Sequence, residues 1–286
     1  MDAPDLDALQ IIDEPELNGG TMLLALGGWM DGGEVSTGTV DRLIHQQDAR
    51  GVARIDGEGF YIHHLPGSMD VAALFRPHIE VNEGRLDRIE IPDNVFYADE
   101  RTNLLCFVGQ EPNLHWRAFA DCLFALAEST GIRRIVFVGS YAGAVPHTRE
   151  PRLYAAASRP NLLESLLAYH VRPADYEGPG SFSSYLLSRV DEEGLDMINL
   201  IAEIPAYIQG RNPLSIEAVT RRLSSFLGIK TDLDGLRSAS DAWESEVSEA
   251  VAKDEELAEK IRQLEAAYDE DLLESGNPDD DAADED

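Results

Sequence analysis

The chain has 286 residues, which suits one large domain with an appendage, and 43% of them are apolar, enough for a sizeable core. No apolar run approaches the roughly 20 residues of a membrane-spanning helix. The formal net charge of −31 repels nucleic-acid phosphates and anionic membranes, so we expect neither as a partner. No signal-peptide pattern opens the chain, and Cys106 and Cys122 lie in apolar runs as buried hydrophobes, so a cytoplasmic location is predicted.

The acidic charge is concentrated towards the C-terminus. Residues 232–286 contain 21 acidic and 4 basic residues, and residues 269–286 contain ten acidic residues and no basic one. Because so little apolar material accompanies this charge, we expect 269–286 to be a disordered tail. At the other end, residues 1–20 are polar and contain prolines and a glycine pair, which predicts a loosely ordered lead-in.

The middle of the chain alternates between strand and helix patterns. Short apolar runs predict buried strands at 21–26, 104–108, 135–138 and 197–202. Further strand pieces are predicted at 53–56, 60–62 and 86–91, the last with one exposed face. Helical spacing predicts helices over 35–47, from Trp116 to a stop at Gly131, and over 182–190 and 214–227. This alternation over 21–231 predicts an α/β domain whose mostly parallel or mixed sheet is covered on both faces.

A helical extension is predicted over 232–268. Apolar positions there follow a 4-3-4-3 spacing typical of a coiled coil or a helical hairpin: Trp243, Val247, Ala250, Leu257, Ile261, Leu264 and Tyr268. Asp254 interrupts this line. The favoured interpretation is a helix that lies against its own domain, and the alternative is a contact with another subunit.

Three of the predicted strands run into glycine-rich turns with polar residues: 27–33, 109–113 and 139–149. Ligands of open α/β sheets gather outside the carboxyl ends of the strands. If the strands are parallel, these turns lie along one edge and form a shared site. We expect its binding residues to be Gly28, Trp29, Asp31, Glu111, Asn113, Tyr141, His147 and Arg149.

Known catalytic motifs are incomplete in these turns. The first turn has neither the G-x-G-x-x-G spacing nor a following G-K-[ST], and Asp31 would repel a phosphate. The turn around Ser140 lacks both glycines of a nucleophile elbow. His147 suits either a catalytic base or a hydrogen-bonded loop anchor, and the anchor is the favoured interpretation. If catalysis occurs, its candidates are Glu111, His147, Asp31 and Arg149, with Glu111 the best functional carboxylate.

No metal site or cofactor is predicted. His63 and His64 are adjacent on an expected strand, so their side chains point to opposite faces. Neither an H-E-x-x-H motif nor a pair of C-x-x-C motifs occurs in the sequence.

The turns also carry a family resemblance. The motifs are Gly27–Gly33, Glu111–Arg117, Val145–Arg149, Tyr176–Gly180 and Ile204–Tyr207, with helical matches around Trp243–Glu244 and Asp254–Ala258. Together they resemble the PAC2 family of relatives of proteasome assembly chaperone 2, especially its bacterial branch, over roughly residues 20–265. The resemblance implies a three-layer α/β/α fold similar to purine nucleoside phosphorylase and related hydrolases. It also implies homo-oligomers such as trimers, and an ATP-independent role in binding or assembling proteasome-like particles.

Two hypotheses about function follow. The favoured one is a protein-binding or assembly factor without catalysis, because the family resemblance and the acidic tail suit a protein partner, proteasome-like or other. The alternative is a small-molecule hydrolase or transferase that uses the polar edge of the sheet. A fold shared with phosphorylases does not by itself make the chain an enzyme.

Overall fold

The computed structural model describes residues 6–275. The strands are β1 (Leu9–Ile11), β2 (Gly20–Gly27), β3 (Arg50–Ile55), β4 (Ile79–Asn82), β5 (Arg85–Ile89), β6 (Asn94–Asp99), β7 (Leu104–Gln110), β8 (Ile132–Gly143), β9 (Leu153–Ala157), β10 (Val171–Pro173) and β11 (Asp196–Pro205). The helices are α1 (Val35–Gln47), α2 (Met69–Ala73), α3 (Trp116–Thr130), α4 (Pro160–Leu167), α5 (Phe182–Arg189), α6 (Pro213–Leu227), α7 (Asp234–Val251) and α8 (Glu255–Ser275).

Nine strands form one mixed sheet in the order β1-β3-β6-β7-β2-β8-β11-β9-β10, while β4 and β5 pair separately. The central strands β7, β2, β8 and β11 are mutually parallel. Antiparallel partners flank them, β6 beside β7 and β9 beside β11. The carboxyl ends of the four parallel strands therefore meet at one edge of the sheet, which is the arrangement on which the shared-site prediction depends.

The sheet is buried on both faces, which explains the continuous apolar runs of its central strands. Alternate residues of β2 point to opposite sides, so Met22 and Leu24 belong to one core and Leu23 and Ala25 to the other. Side chains of α3 and α5 complete the first core, and side chains of α1, α4 and α6 complete the second. The predicted α/β fold with helices on both faces is confirmed.

Several local predictions need correction. Residues 60–62 do not form a strand. A turn ends at Phe60, which is buried and whose carbonyl accepts hydrogen bonds from the Asn113 and Leu114 amides beyond β7. The expected loose lead-in contains β1, which pairs with β3 at the edge of the sheet. The segment predicted as a half-exposed strand at 86–91 is represented by β5, which belongs to the small separate sheet and is exposed throughout.

The predicted helical extension is two helices rather than one. Its break falls at Asp254, the residue that interrupts the apolar spacing, and the Asp254 carboxylate accepts hydrogen bonds from the Glu256 and Leu257 amides as the N-cap of α8. α7 packs along α6 of its own domain, which agrees with the favoured interpretation. α8 continues past 268 to Ser275, so the start of the expected disordered tail is helical. The remainder of that tail, 276–286, lies outside the described residues.

Candidate functional site

At the carboxyl edge of the parallel strands, the turn 27–33 after β2 lies between the turn 109–113 after β7 and the segment 139–149 at the end of β8. The Glu111 amide donates a hydrogen bond to the Gly27 carbonyl at 2.9 Å, which joins the ends of β7 and β2. On the other side, the Ser140 amide of β8 donates to the Met30 carbonyl at 2.8 Å, beside a bridge between Asp31 and Ser140. The backbone of the three turns therefore converges as the sequence indicates.

Asp31 caps the start of α1. Its Oδ1 accepts from the Thr37 amide at 3.1 Å and its Oδ2 accepts from the Thr37 hydroxyl at 2.8 Å. Burial raises the pKa of Asp31 to about 6, although the hydrogen bonds from Thr37 oppose this shift. The carboxyl group therefore gains or loses its proton close to neutral pH. Both of its oxygens already accept hydrogen bonds from Thr37.

Glu111 begins α5. Its Oε1 accepts a hydrogen bond from the Phe182 amide at 2.8 Å, an unpaired donor at the N-terminus of that helix. Gly28 lies against this side chain at a φ of 129°, and a methyl group added there would lie 3.3 Å from Glu111 Cβ. Gly28 is thus required by its backbone conformation and by the close approach of Glu111.

His147 is buried and anchors α7. Its Nδ1 lies 2.8 Å from the Tyr207 hydroxyl, and its Nε2 lies 3.0 Å from the Ser248 hydroxyl of α7. The ring of Trp243, also on α7, meets the imidazole edge-on at 6.5 Å. Burial lowers the pKa of His147, which favours a neutral ring in this network. This is the loop-anchor role that the sequence favoured.

Arg149 binds α8 rather than the edge of the sheet. Its Nε and Nη2 each lie 2.9 Å from an oxygen of Asp269, a bidentate pair, and the neighbouring Thr148 hydroxyl donates to Glu265.

The four catalytic candidates therefore fall into two groups, and the shared cluster of side chains needs correction. Asp31 and Glu111 stay at the turns beside β2, whereas His147 and Arg149 contact α7 and α8. No hydrogen bond or ion pair between the groups occurs in the part of the chain that the structure describes. The reason is the length of β8, which continues to Gly143 and carries the following loop on to the C-terminal helices.

The remaining predicted binding residues have different surroundings. Asn113 supports the backbone, since its Oδ1 accepts from the Ile62 amide at 3.0 Å. Trp29, on the first turn, and Tyr141, near the end of β8, are 54% and 40% exposed, and each is next in sequence to a residue of the Met30–Ser140 contact. Exposed aromatic side chains of this kind are enriched where proteins bind each other.

A cluster of charges near the edge strand β10 and its neighbour β9 was missed by the sequence reasoning. Arg152 lies between Glu203 at 3.4 Å and Asp271 at 3.0 Å, with the ring of Tyr268 at 4.4 Å from its guanidinium carbon. Arg172 shares Asp271 at 2.9 Å. No local pattern reveals this cluster, because its members are brought together by β9, β10, β11 and α8.

Neither membrane-spanning nor metal-binding features occur among residues 6–275. No helix there combines the length and apolarity needed to cross a bilayer. No set of three or more His, Cys, Asp or Glu side chains in the same range is placed to hold a metal ion.

Comparison with known proteins gives the family. The family model described as PAC2 family matches residues 25–251. A protein of unknown function from Mycobacterium tuberculosis has a TM-score of 0.82 at 21% identity, covering 97% of this chain and 94% of that one. A proteasome-assembly chaperone homologue from the same organism has a TM-score of 0.71 at 26% identity, covering 84% and 99%. An archaeal proteasome activator from Pyrococcus furiosus has a TM-score of 0.65 at 19% identity, covering 85% and 97%.

No curated protein sequence matches the chain. The structural neighbours nevertheless share its mixed sheet and flanking helices, and they align over nearly their whole length. The family match covers most of the sequence, including the end of β2, the whole of β7, β8 and β11, and the three turns at the ends of β2, β7 and β8. The chain therefore belongs to the PAC2 family.

Proposed function

We propose that this protein is a binding or assembly factor for a protein partner, such as a proteasome-like particle, and that it acts without ATP and without catalysis. The observation that carries the proposal is the similarity to the Mycobacterium tuberculosis proteasome-assembly chaperone homologue, at 26% identity over 99% of that chain. We also infer a cytoplasmic homo-oligomer, such as a trimer.

The geometry at the carboxyl edge is consistent with a binding surface. Asp31, Glu111 and His147 each hold the start or the face of a helix through short hydrogen bonds, so these polar groups stabilise the fold. Trp29 and Tyr141 remain exposed beside them. Exposed aromatic side chains on a hydrogen-bonded edge are suited to anchoring a partner protein.

The test is affinity purification of the tagged full chain from its native host, with mass spectrometry of whatever copurifies. We expect a stoichiometric protein partner whose recovery does not change when ATP is removed. Trp29→Ala combined with Tyr141→Ala is expected to lower that recovery at least about tenfold, because each exposed aromatic anchor contributes roughly 1 kcal/mol or more.

The control is Leu167→Ala, which truncates an exposed apolar residue at the end of α4. It is expected to leave recovery unchanged. Purification of the wild-type chain without any stoichiometric partner would contradict the proposal.

A second candidate function, hydrolysis or group transfer on a small molecule, is favoured by one observation. Burial raises the pKa of Asp31 to about 6, and a carboxyl group with such a pKa suits acid–base chemistry near neutral pH. An activity found in a substrate screen and abolished by Asp31→Asn, with the fold intact, would favour this function over the first.

A further inference from the structure

Five polar side chains share one face of the sheet at the end that terminates in β10. Tyr141 of β8 is opposite Glu203 of β11, and the Glu203 amide donates a hydrogen bond to the Arg152 carbonyl at 2.9 Å. Tyr154 comes two residues after Arg152 and is opposite Arg172 of β10. Opposite residues, and residues two apart along a strand, share a face, so these five side chains form one polar surface, which we call the platform.

Helix α8 places one carboxylate on the platform. Asp271 Oδ2 lies 3.0 Å from Arg152 Nε and 2.9 Å from Arg172 Nη1. One turn earlier on α8, the ring of Tyr268 lies 4.4 Å from the Arg152 guanidinium carbon. Burial opposes the ionisation of Asp271, but Arg172 and Arg152 outweigh it and hold its pKa below the ordinary value. Two guanidinium groups from different strands that hold one carboxylate have the geometry of an anion-binding site.

Few side chains attach α8 to the body of the protein. Ile261 and Tyr268 are buried, whereas the other side chains of the helix up to residue 274 are at least partly exposed. The break at Asp254 also separates α8 from α7. A segment with so few buried contacts opens locally at a smaller free-energy cost than the core elements do. We therefore expect α8 to leave the platform more readily than the rest of the fold opens.

The surface beneath α8 is positively charged. Arg149 adds a third arginine beside the two of the platform, and it pairs with Asp269 of α8 at 2.9 Å. Of the three carboxylates in these ion pairs, Asp269 and Asp271 come from α8 and Glu203 comes from the sheet. When α8 is displaced, three arginines therefore remain beside one of these carboxylates. The chain as a whole has a net charge of −31, so this is a local reversal of sign.

We propose that the platform is a binding site for an acidic helical segment of another protein, and that α8 occupies this site as an internal substitute. α8 shows which segment fits. Asp271 follows Tyr268 by three residues, so the carboxylate and the ring lie on one side of the helix and contact Arg152 together. Asp269 supplies a second carboxylate, to Arg149. Helices that bind in grooves use anchors at such spacings.

A nucleic acid is a poorer occupant, because the acidic remainder of the protein repels a chain of phosphates. A segment of another protein must compete with α8, which is tethered beside the site and therefore present at a high effective concentration. α8 thus lowers the affinity of the platform for outside segments. The inference deepens the proposed function, because it gives the protein partner a site, but its test needs no natural partner.

The test uses the full chain and a fluorescein-labelled synthetic peptide with the sequence of residues 258–274. Fluorescence anisotropy gives the dissociation constant of the peptide for the wild-type chain and for the chain variant Asp269→Asn with Asp271→Asn. We expect the variant to bind the peptide at least about tenfold more tightly, because its own helix competes less. The matched control chain is Glu270→Gln with Glu274→Gln, which removes two exposed carboxylates of α8 and should bind as the wild type does.

A second arm changes the peptide and keeps the chain variant constant. Asp271→Asn in the peptide should weaken binding at least about tenfold, because the carboxylate between the two arginines is lost. Glu270→Gln in the peptide, with the same net charge, should leave binding unchanged. Arg172→Gln added to the chain variant should weaken binding by a similar factor, with circular dichroism to verify the fold. The peptide substitutions remain decisive if that chain does not fold.

Equal affinities of the wild-type chain and the Asp269→Asn with Asp271→Asn variant overturn the inference, as do equal affinities of the two substituted peptides. Displacement of the peptide by free succinate at about the concentration of the peptide overturns it in favour of a small carboxylate ligand. Peptide binding as expected, together with no partner in the affinity purification, refutes the assembly role alone. A partner recovered by a chain that does not bind the peptide refutes the inference alone.

Discussion

Single residues at the carboxyl edge of the sheet show how burial sets their chemistry. Asp31 and His147 are shifted in the directions that remove charge from the interior, upward for the pKa of the carboxyl group and downward for that of the imidazole. Both side chains also connect a turn to a helix, to α1 and to α7. The protonation of these residues is therefore linked to the stability of the fold.

The first prediction concerns Asp31 and pH. Its pKa is about 6 in the folded protein and 3.8 in the reference state, so the folded form binds the extra proton between these values. The contribution of this group to stability is therefore greatest at the acidic end and is lost as the pH rises towards about 6. Asp31→Asn removes this pH-dependent contribution. As the pH rises from 3.8 to about 6, the stability of the variant relative to the wild type should therefore increase by on the order of 2 kcal/mol.

Urea denaturation of both proteins at a series of pH values gives this difference. The asparagine side chain of the variant keeps an oxygen that can accept from the Thr37 amide, so the cap on α1 is largely preserved. A difference between variant and wild type that does not vary with pH would refute the linkage.

The second prediction concerns His147, whose pKa is lowered by burial. As the pH falls below 6.5, the imidazole therefore becomes protonated in the unfolded chain at a higher pH than in the folded protein. The stabilising contribution of the neutral ring is lost on acidification. His147→Phe keeps a ring against Trp243 and keeps the backbone amide that donates to the Tyr207 hydroxyl. It removes the ring nitrogens that bind the Tyr207 and Ser248 hydroxyls, so we expect a cost of about 2 kcal/mol at neutral pH.

The measurement is urea denaturation of both proteins on either side of the histidine titration range, with hydrogen exchange of the α7 amides as the local readout. The difference in the free energy of unfolding between wild type and variant should become smaller as the pH falls. A gap that widens on acidification would mean that the folded protein carries the charged ring.

At the scale of elements, the C-terminal helices are held on their own domain by different forces. α7 packs along α6 and is anchored by His147. α8 buries Ile261 and Tyr268, and its carboxylates pair with arginines of the β8–β9 loop and of strand β10. The acidic residues of α8 thus serve a local structural purpose in a chain whose overall charge is strongly negative.

The third prediction is that Arg152→Ala destabilises the protein by about 3 kcal/mol, because it leaves the buried Glu203 without its counter-charge and removes the cation above Tyr268. The control is Arg262→Ala on α8, which removes only the exposed pair with Glu259 and should cost no more than about 0.5 kcal/mol. Urea denaturation measures both. Equal costs for the two variants would show that the buried pair contributes nothing beyond an exposed one.

At the scale of the whole molecule, an excess of acidic residues, 54 against 23 basic ones, opposes the compact state through repulsion. The fourth prediction is that sodium chloride, raised from about 0.05 M to about 0.5 M, increases the melting temperature by about 3 °C, because screening weakens the repulsion. Exposed ion pairs weaken as well, but each contributes little.

Differential scanning calorimetry measures this effect. A neutral osmolyte at a matched osmolality serves as the control, because it stabilises by exclusion from the surface without screening charge. A melting temperature that falls with added salt would show that favourable ion pairs, such as those of Arg152, outweigh the general repulsion.

The sequence by itself determined the α/β class, the buried central strands and the helices that cover them. These features follow from local patterns, since a strand buried on both faces must be apolar throughout, as in β2 and β7, and a helix must repeat its apolar residues at its own period. The convergence of the glycine-rich turns followed as well, because parallel strands end at a common edge. The interruption at Asp254 was visible, although its role as an N-cap was not predicted.

Only the tertiary structure decided what the polar residues at that edge do. Whether His147 meets Glu111 or Ser248 depends on how far β8 extends and where α7 lies, and neither is written in the spacing of the loop residues. The pairing of Arg152 with Glu203 and Asp271, and the exposure of the β4–β5 hairpin, depend likewise on contacts between distant segments. Local patterns specify which residues prefer burial, but the partner that satisfies a buried charge is chosen by the packing of whole elements.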